Sequence, residues 1–248
     1  MRNHKLIFVG GLHRSGTSLL SACLRDHPKI SGFKDTGVSH DEGQLLQSVY
    51  APARVYGGPG VFGLDPASRL DETSGLVTPE NADKLFREWA KFWDLKRPFL
   101  LEKSPPNLIR GRFLQALFPD SYFVMIMRHP IAVSYATQKW SKTYIHSLIA
   151  HWLVCHENFN LDRHLLKKLI VIQYEDFVSE PHSVIKKIYG FLDIEPVPLC
   201  REVRSNVNEK YFDMWRKRRN AILTRCYVNR IIKKNESKIN RFGYSLNI

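Results

Sequence analysis

Residues 11–18, Gly-Leu-His-Arg-Ser-Gly-Thr-Ser, combine glycines, hydroxyls and a guanidinium group at a spacing that suits binding of a phosphate-like anion. They keep the G-x-x-x-x-G-x-S/T spacing of a Walker-type loop, but Thr17 stands where a nucleotide triphosphatase has its lysine. Arg14 adds a permanent charge and forked donors, and Ser15 and Ser18 add hydroxyl donors. The spacing predicts an anion site that lacks the main clamp of a kinase. The alternative is an ordinary strand-to-helix turn.

The segments on either side of this loop must position it. An apolar run over residues 5–10 predicts a strand, and a helical pattern begins directly after the loop. The N–H groups that open such a helix, together with its dipole, favour an anion there. Further strands are predicted near residues 98–102, 121–127 and 169–173, separated by helical stretches. This alternation predicts an α/β, three-layer P-loop-like fold with a central parallel sheet flanked by helices.

The loop resembles the 5′-phosphosulfate-binding loop of sulfotransferases that use 3′-phosphoadenosine 5′-phosphosulfate (PAPS). The chain reads R-S-G-T-S-L from Arg14 to Leu19, then a helical pattern and His27-Pro28, as in that family. The resemblance implies PAPS as co-substrate. The residues it assigns to the 5′-phosphosulfate are His13, Arg14, Ser15, Gly16, Thr17 and Ser18.

Three later segments follow the family in order. Lys103, in Leu-Glu-Lys-Ser-Pro, resembles the lysine turn near the transferring group in the tyrosylprotein branch. Arg128 ends an apolar strand, at the sheet edge where such folds bind ligands, and resembles the family's 3′-phosphate arginine. Tyr174, in Tyr-Glu-Asp-Phe-Val, resembles a block near the nucleotide. Without the resemblance, the sequence would indicate a solvent-exposed side chain for Lys103 and an aromatic core residue for Tyr174.

The 3′-phosphate segment departs from the family at its serine, which usually falls eight positions after the arginine, where this chain has Ala136. Ser134 comes two residues early and Thr137 one residue late. Two positions correspond to about 200° around a helix, so Ser134 can serve only if the strand–helix junction is shortened. We assign Ser134 to the 3′-phosphate, with Thr137 as the alternative.

The general base is the least determined of the implied catalytic residues. The tyrosylprotein branch has a glutamate in the segment after His-Pro; counting from the loop places it on Asp35, and motif matching places it on Glu42. Residues 39–47 predict a helix with acidic residues, Asp41 and Glu42, in its first turn. We choose Glu42, while Asp41 and Asp35 stay open. The alternative is that Glu42 is an ordinary acidic residue in the first turn of a helix, without a catalytic role.

The resemblance implies a PAPS-dependent enzyme that transfers a sulfuryl group to an acceptor hydroxyl by in-line displacement. Arg14 and Lys103 would stabilise developing negative charge, and Glu42 would accept the hydroxyl proton. The acceptor, a carbohydrate, a peptide tyrosine or a small metabolite, is not determined by the sequence. The rival functions are a noncatalytic nucleotide- or polyanion-binding module and, further off, a P-loop phosphotransferase, which would need the missing lysine.

Length and composition predict one sulfotransferase domain over residues 1–248, since 44% apolar residues are ample for a large core. A loop-rich excursion is predicted over about residues 50–78, where glycine and proline cluster. The net charge is +13, and residues 201–248 hold 13 Lys/Arg against 4 Asp/Glu. This basic helical C-terminal segment reads as a solvated helix face or as a surface that steers an acidic acceptor.

Several classes of protein are disfavoured. The four cysteines show no C-x-x-C pairing, so we expect free thiols and no metal. We expect no nucleic-acid partner, since the basic charge is not accompanied by a recognition motif. No run approaches the ~18 apolar residues of a membrane span, which predicts a cytoplasmic, bacterial protein without an integral membrane segment.

Overall fold

The computed structural model describes residues 4–248. These residues form a parallel sheet of five strands, with helices around it. The strands are β1 (Lys5–Gly10), β2 (Ile30–Gly32), β3 (Phe99–Lys103), β4 (Tyr122–Met127) and β5 (Leu169–Gln173). Their order across the sheet is β2-β3-β1-β4-β5. Four of them match predicted strands to within one residue. The sequence analysis missed β2, because three residues are too few to form a recognisable pattern.

Helices cover both faces of the sheet, which gives the predicted three-layer α/β fold. The α-helices within the described residues are α1 (Thr17–Arg25), α2 (Pro79–Ala90), α3 (Gly111–Leu117), α4 (Pro130–Ser141), α5 (Ile145–Asp162), α6 (Tyr174–Ser179), α7 (Pro181–Phe191), α8 (Glu209–Asn220) and α9 (Ile222–Asn240). Leu6 and Phe8 of β1 face α2 to α5, α8 and α9, whereas Ile7 and Val9 face α1, α6 and α7. Because both faces are buried, the strands read as uninterrupted apolar runs.

The parallel register brings the carboxyl ends of four strands to one edge. Val9 of β1 lies opposite both Lys103 of β3 and Val124 of β4, and Met127 of β4 lies opposite Gln173 of β5. The loop after β1, the end of β3, the residue after β4 and the first residue after β5 therefore meet there. This is the edge at which the sequence places the candidate site.

The helix predicted over residues 39–47 is wrong. Two separate 3₁₀ turns, Ser39–Asp41 and Gly43–Leu45, occupy this segment instead. The Gln44 N–H, which a helix would use within the segment, donates instead to Ser104 Oγ at 2.9 Å. The Asp41 side chain accepts from the N–H of Thr36, which precedes the segment, at 2.9 Å. Such local side-chain bonds compete with the helical pattern.

The loop-rich excursion over residues 50–78 contains only 3₁₀ turns of three or four residues. Its fully buried Phe62 packs against the ring of His151 in α5. In the C-terminal segment, Trp215 of α8 is fully buried and its Nε1–H donates to the Leu246 carbonyl at 2.8 Å. None of the helices within residues 4–248 combines the length and apolar character that crossing a membrane requires.

Candidate active site

Gly16, in the loop after β1, has a backbone conformation and surroundings that only glycine fits. Gly16 has φ 100°, in the left-handed region, and a Cβ there would lie 2.6 Å from Cδ2 of Tyr174. The turn is closed by the Ser15 N–H, which donates to the Leu12 carbonyl at 3.0 Å. Both constraints bring the loop backbone against the Tyr174 ring, at the start of α1, where amide N–H groups favour an anion.

Arg14 connects this loop to the rest of the site. Its guanidinium lies 4.4 Å from the centroid of the half-exposed Trp140 ring, and its carbonyl accepts a hydrogen bond from Arg128 Nη1 at 2.7 Å. Trp140 lies in the last turn of α4, so the helix after β4 contacts the loop after β1. Stacking on an aromatic face leaves the guanidinium charge available for an anion.

Arg128 follows β4 and is buried, 6% exposed. Its guanidinium lies 4.1 Å from the Tyr174 ring centroid, and its Nε donates to Asn208 Oδ1 at 2.8 Å. Nη2 is also buried but has no hydrogen-bond partner among the described residues. Burial lowers the pKa of Arg128. Within residues 4–248, neither Arg128 nor Arg14 forms a salt bridge, so both charges face the same region without a carboxylate partner.

A network that the sequence analysis missed fixes Arg128. Glu175 accepts hydrogen bonds from the His129 N–H at 3.0 Å, from Asn208 Nδ2 at 2.7 Å and from the Tyr244 hydroxyl at 2.9 Å. Asn208 in turn accepts from Arg128 Nε. Glu175 lies beside the predicted Tyr174, but Asn208 and Tyr244 come from the distant C-terminal segment, where no local pattern marks them.

Glu42 and Lys103 form a buried pair. Lys103 Nζ lies 3.8 Å from Glu42 Oε1 and donates to the His40 carbonyl at 2.5 Å. Gln44 Nε2 donates to the other Glu42 oxygen at 2.5 Å. Burial raises the pKa of Glu42 and lowers the pKa of Lys103, while the attraction between the two opposes both changes. A carboxylate and an ammonium group are thus held close together where little water reaches them.

Glu102 lies fully buried behind this pair and was not predicted. Ser104 Oγ and Asn107 Nδ2 each donate to its carboxyl group at 2.5 Å, and Ser104 Oγ accepts from the Gln44 N–H. Gly43 packs so closely that a Cβ would lie 2.3 Å from Glu102 Oε1. Burial raises the pKa of Glu102 to about 7, although the hydrogen bonds that Ser104 and Asn107 donate act to lower it. Glu102 thereby anchors the segment that carries Glu42.

Two adjoining clefts contain most of the predicted site residues. The first cleft is lined by His13, Arg14, Gly16, Thr17, Ser18, Leu19, His40, Glu42, Pro105, Arg128, Trp140, Tyr174 and Val207. The second cleft is lined by His13, Ser39, His40, Glu42, Gln44, Leu45, Ala53, Arg54, Pro59 and Trp140. Glu42 belongs to both, so it stands where they meet. Burial and the nearby His151 lower the pKa of His13 to about 3, which makes this shared imidazole neutral at pH 7.

Other predicted residues lie outside the first cleft. Lys103 lines a neighbouring pocket with Ser18 and His40. The Asp35 side chain is 85% exposed and pairs with Lys34 at 3.8 Å, away from either cleft.

The buried Ser15, Ser134 and Thr137 also lie outside the linings of both clefts. Their hydroxyls have no hydrogen-bond partner in the part of the chain that the structure describes. Ala136, at the family's usual serine position, is buried too. Glu42 thus lines both clefts and Asp35 lines neither, while the identity of the base and the choice between Ser134 and Thr137 stay predictions.

No group of three His, Cys, Asp or Glu side chains in the described part of the chain is arranged to hold a metal ion. The four cysteines are free; Cys23 and Cys155 are buried, and Cys200 and Cys226 are exposed.

Comparison with known proteins gives concordant results. Residues 7–198 match the family model described as the sulfotransferase family. A protein-tyrosine sulfotransferase of Drosophila melanogaster is 24% identical over 206 residues, 78% of this chain and 39% of the relative. A protein-tyrosine sulfotransferase of Gallus gallus is 30% identical over 128 residues, 50% of this chain and 31% of the relative. The chain thus spans well under two thirds of these relatives.

Solved structures agree at the level of the fold. A sulfotransferase from Mycobacterium avium superposes with a TM-score of 0.53 at 12% identity, covering 88% of this chain and 69% of that one. A sulfotransferase from Alicyclobacillus acidocaldarius gives 0.50 at 16% identity, with 86% and 92% covered. With the family match over most of the sheet and the glycine loop at its edge, the chain belongs to the sulfotransferase family.

Proposed function

We propose that this protein transfers a sulfuryl group from PAPS to an acceptor hydroxyl. The observation that carries the proposal is the placement of Arg14 and Arg128 on one cleft whose wall contains Glu42. Neither guanidinium group has a carboxylate partner in the described part of the chain. Two fixed positive charges suit a ligand with two anionic ends. A carboxylate beside them suits proton removal from a hydroxyl.

The residues present fit PAPS. Arg128 Nη2 and Ser15 Oγ are buried donors without a hydrogen-bond partner among residues 4–248, as expected for groups that bind an anion. The loop 13–18 would hold the 5′-phosphosulfate, Arg128 the 3′-phosphate, and Tyr174 would pack near the nucleotide. When bound, PAPS supplies an activated sulfuryl group. Ser134 is proposed as a further 3′-phosphate ligand, with Thr137 as its alternative.

Glu42 is proposed as the general base. It lines both clefts, so an acceptor hydroxyl entering from the second cleft reaches it beside the first. Lys103 at 3.8 Å favours the ionised form of Glu42 and so keeps it able to accept a proton. A base of this kind contributes ~10²–10⁴ in rate. Lys103 and Arg14 supply the positive charge that stabilises negative charge gathering during transfer.

The acceptor is proposed to be a hydroxyl of a peptide tyrosine or a carbohydrate. The matched relatives are named protein-tyrosine sulfotransferases. The second cleft offers the half-exposed Trp140 ring and the exposed Arg54 near Glu42. We further propose that residues 1–248 form one domain, since Asn208 of the C-terminal segment holds Arg128 of the sheet edge. A cytoplasmic location stays a prediction of the sequence.

Calorimetric titration with 3′-phosphoadenosine 5′-phosphate (PAP) tests the donor site. AMP, ATP with Mg²⁺ and a heparin-like polyanion serve as controls for general basicity. We expect PAP to bind more tightly than AMP in the wild type, and the preference to be lost in Arg128→Ala but kept in Arg97→Ala, a control at the opposite edge of the sheet. Equal binding of all the anions would refute the donor site.

Transfer from labelled PAPS to tyrosine-containing peptides and to sugars then tests catalysis. Arg14→Ala should abolish transfer while the fold, measured by circular dichroism, is unchanged. Tight PAP binding without transfer to any acceptor would instead support the noncatalytic nucleotide-binding module.

A further inference from the structure

Two aliphatic side chains are almost fully exposed at the tip of the α8–α9 hairpin. Ile222 is 92% and Leu223 97% exposed, the highest values among the large exposed hydrophobic residues of the described chain. They open α9 directly after Ala221, the single residue that separates the two helices. A single exposed aliphatic side chain is common on protein surfaces. Ile222 and Leu223 together form a small apolar patch at the tip of the hairpin that no part of the described fold covers.

The charge around this tip has one sign. Residues 214–234 hold eight Lys/Arg and no Asp/Glu. A groove between the two helices is lined by Arg216, Arg219 and Arg225 with Asn220, Asn229 and Ile248. Arg216 is paired with Asp213 at 2.9 Å. The half-buried Arg219 donates to Asn247 Oδ1 at 3.3 Å and to the Ile248 carbonyl at 3.5 Å, and neither Arg219 nor the exposed Arg225 pairs with an Asp or Glu within residues 4–248. The apolar tip therefore lies beside two guanidinium groups that no Asp or Glu of the described chain pairs with.

The combination of basic charge with exposed aliphatic side chains discriminates among the anionic partners that could bind this tip. A nucleic acid or an acidic polysaccharide would neutralise the arginines but leave Ile222 and Leu223 in water. A second copy of the chain docking tip to tip would bury the aliphatic pair but bring like charges together. An anionic lipid surface takes both, since its headgroups pair with basic side chains and its acyl boundary receives aliphatic ones.

We propose that the α8–α9 tip docks onto anionic lipid membranes, with Ile222 and Leu223 entering the acyl boundary and Arg219 and Arg225 contacting lipid phosphates. The tip belongs to neither cleft, and α8, of 12 residues, extends about 18 Å from its start beside Asn208, so docking leaves the clefts accessible. The proposal does not depend on the proposed reaction, since it concerns a surface remote from Arg14 and Glu42.

Co-sedimentation of the full chain with phosphatidylcholine vesicles, with and without phosphatidylserine, tests the proposal. We expect binding only to the anionic vesicles, weakening as salt is added. The double variant Ile222→Ser/Leu223→Ser keeps every charge and should lose at least about tenfold in vesicle affinity. Arg219→Gln/Arg225→Gln should lose binding as well, because surface attraction grows with each basic residue.

Matched controls come from other exposed positions. Leu161→Ser, at a side chain 62% exposed on α5, and Lys186→Gln/Lys187→Gln, on α7, should bind vesicles like the wild type. All variants should keep wild-type PAP affinity, which separates this proposal from the donor site. Equal sedimentation with both vesicle types, no sedimentation, or unchanged binding by the serine double variant would overturn it. So would a concentration-dependent dimer that the serine double variant abolishes.

Discussion

The buried Glu102 should contribute to the pH dependence of stability in this protein, and Glu102→Gln should remove that contribution. The carboxyl group accepts from Ser104 Oγ and Asn107 Nδ2, both at 2.5 Å, and lies fully buried beside Gly43. Glutamine has the same shape. Its oxygen can accept from Asn107, and its Nε2 can donate to Ser104 Oγ. The variant therefore mimics the protonated carboxyl without being able to ionise.

The magnitude follows from the pKa. A rise from the ordinary value of 4.5 to about 7 corresponds to about 3 kcal/mol of unfolding free energy. Below pH 4.5 the carboxyl is protonated in both the folded and the unfolded chain, so the stabilisation is fully present. As the pH rises, the unfolded chain releases its proton first, and the advantage of the fold is lost by the time the pH passes about 7. Lys103, Glu42, Tyr50 and Arg110 lie near enough to be coupled to this titration.

Thermal unfolding from about pH 4 to about pH 8 measures the effect. Relative to Glu102→Gln, the wild type should lose about 3 kcal/mol across this range, which corresponds to roughly 6–12 °C in Tm for a chain of this size. Glu195→Gln, at an exposed carboxylate, provides the matched control and should track the wild type. A difference between wild type and Glu102→Gln that stays constant with pH would refute the reasoning, because it would mean that Glu102 titrates alike in the folded and unfolded chains.

Three further predictions concern the site. Glu42→Gln should lower turnover by ~10²–10⁴ with little change in PAP affinity, whereas Asp35→Asn should leave turnover unchanged. Steady-state kinetics with labelled PAPS measure both variants. If only Asp35→Asn lowered turnover, Asp35 and not Glu42 would be the base. Gly16→Ala should weaken PAP binding at least about tenfold by calorimetry, since left-handed backbone costs about 1–2 kcal/mol and the new methyl overlaps Tyr174. Asn208→Ala should weaken PAP binding by about tenfold and AMP binding less, because an unpartnered buried group costs about 1–3 kcal/mol; equal losses would show that it acts on general stability.

The sequence predicted those parts of the fold that local pattern controls. β1, β3, β4 and β5 were found because strands buried on both faces must be continuously apolar, and the loop 11–18 was found because its glycine and hydroxyl spacing is itself a short-range signal. The segment 39–47 was wrongly predicted as a helix. Its leucines suggested helical spacing, but Ser104, about sixty residues away in sequence, takes the Gln44 N–H, and no pattern within the segment records that contact.

The sequence by itself therefore determined the family, four of the five strands and the position of the glycine loop, since these depend on residues that are neighbours along the chain. Only the tertiary structure decided which carboxylate faces the cleft. Counting and motif matching gave Asp35 and Glu42 as alternatives, but Asp35 is exposed beside Lys34, whereas Glu42 is buried 3.8 Å from Lys103. The support of Arg128 by Asn208 also required the fold, because that hydrogen bond joins positions 80 residues apart. Such contacts depend on how α8 packs against the sheet edge, which is a property of the whole core and of no single segment.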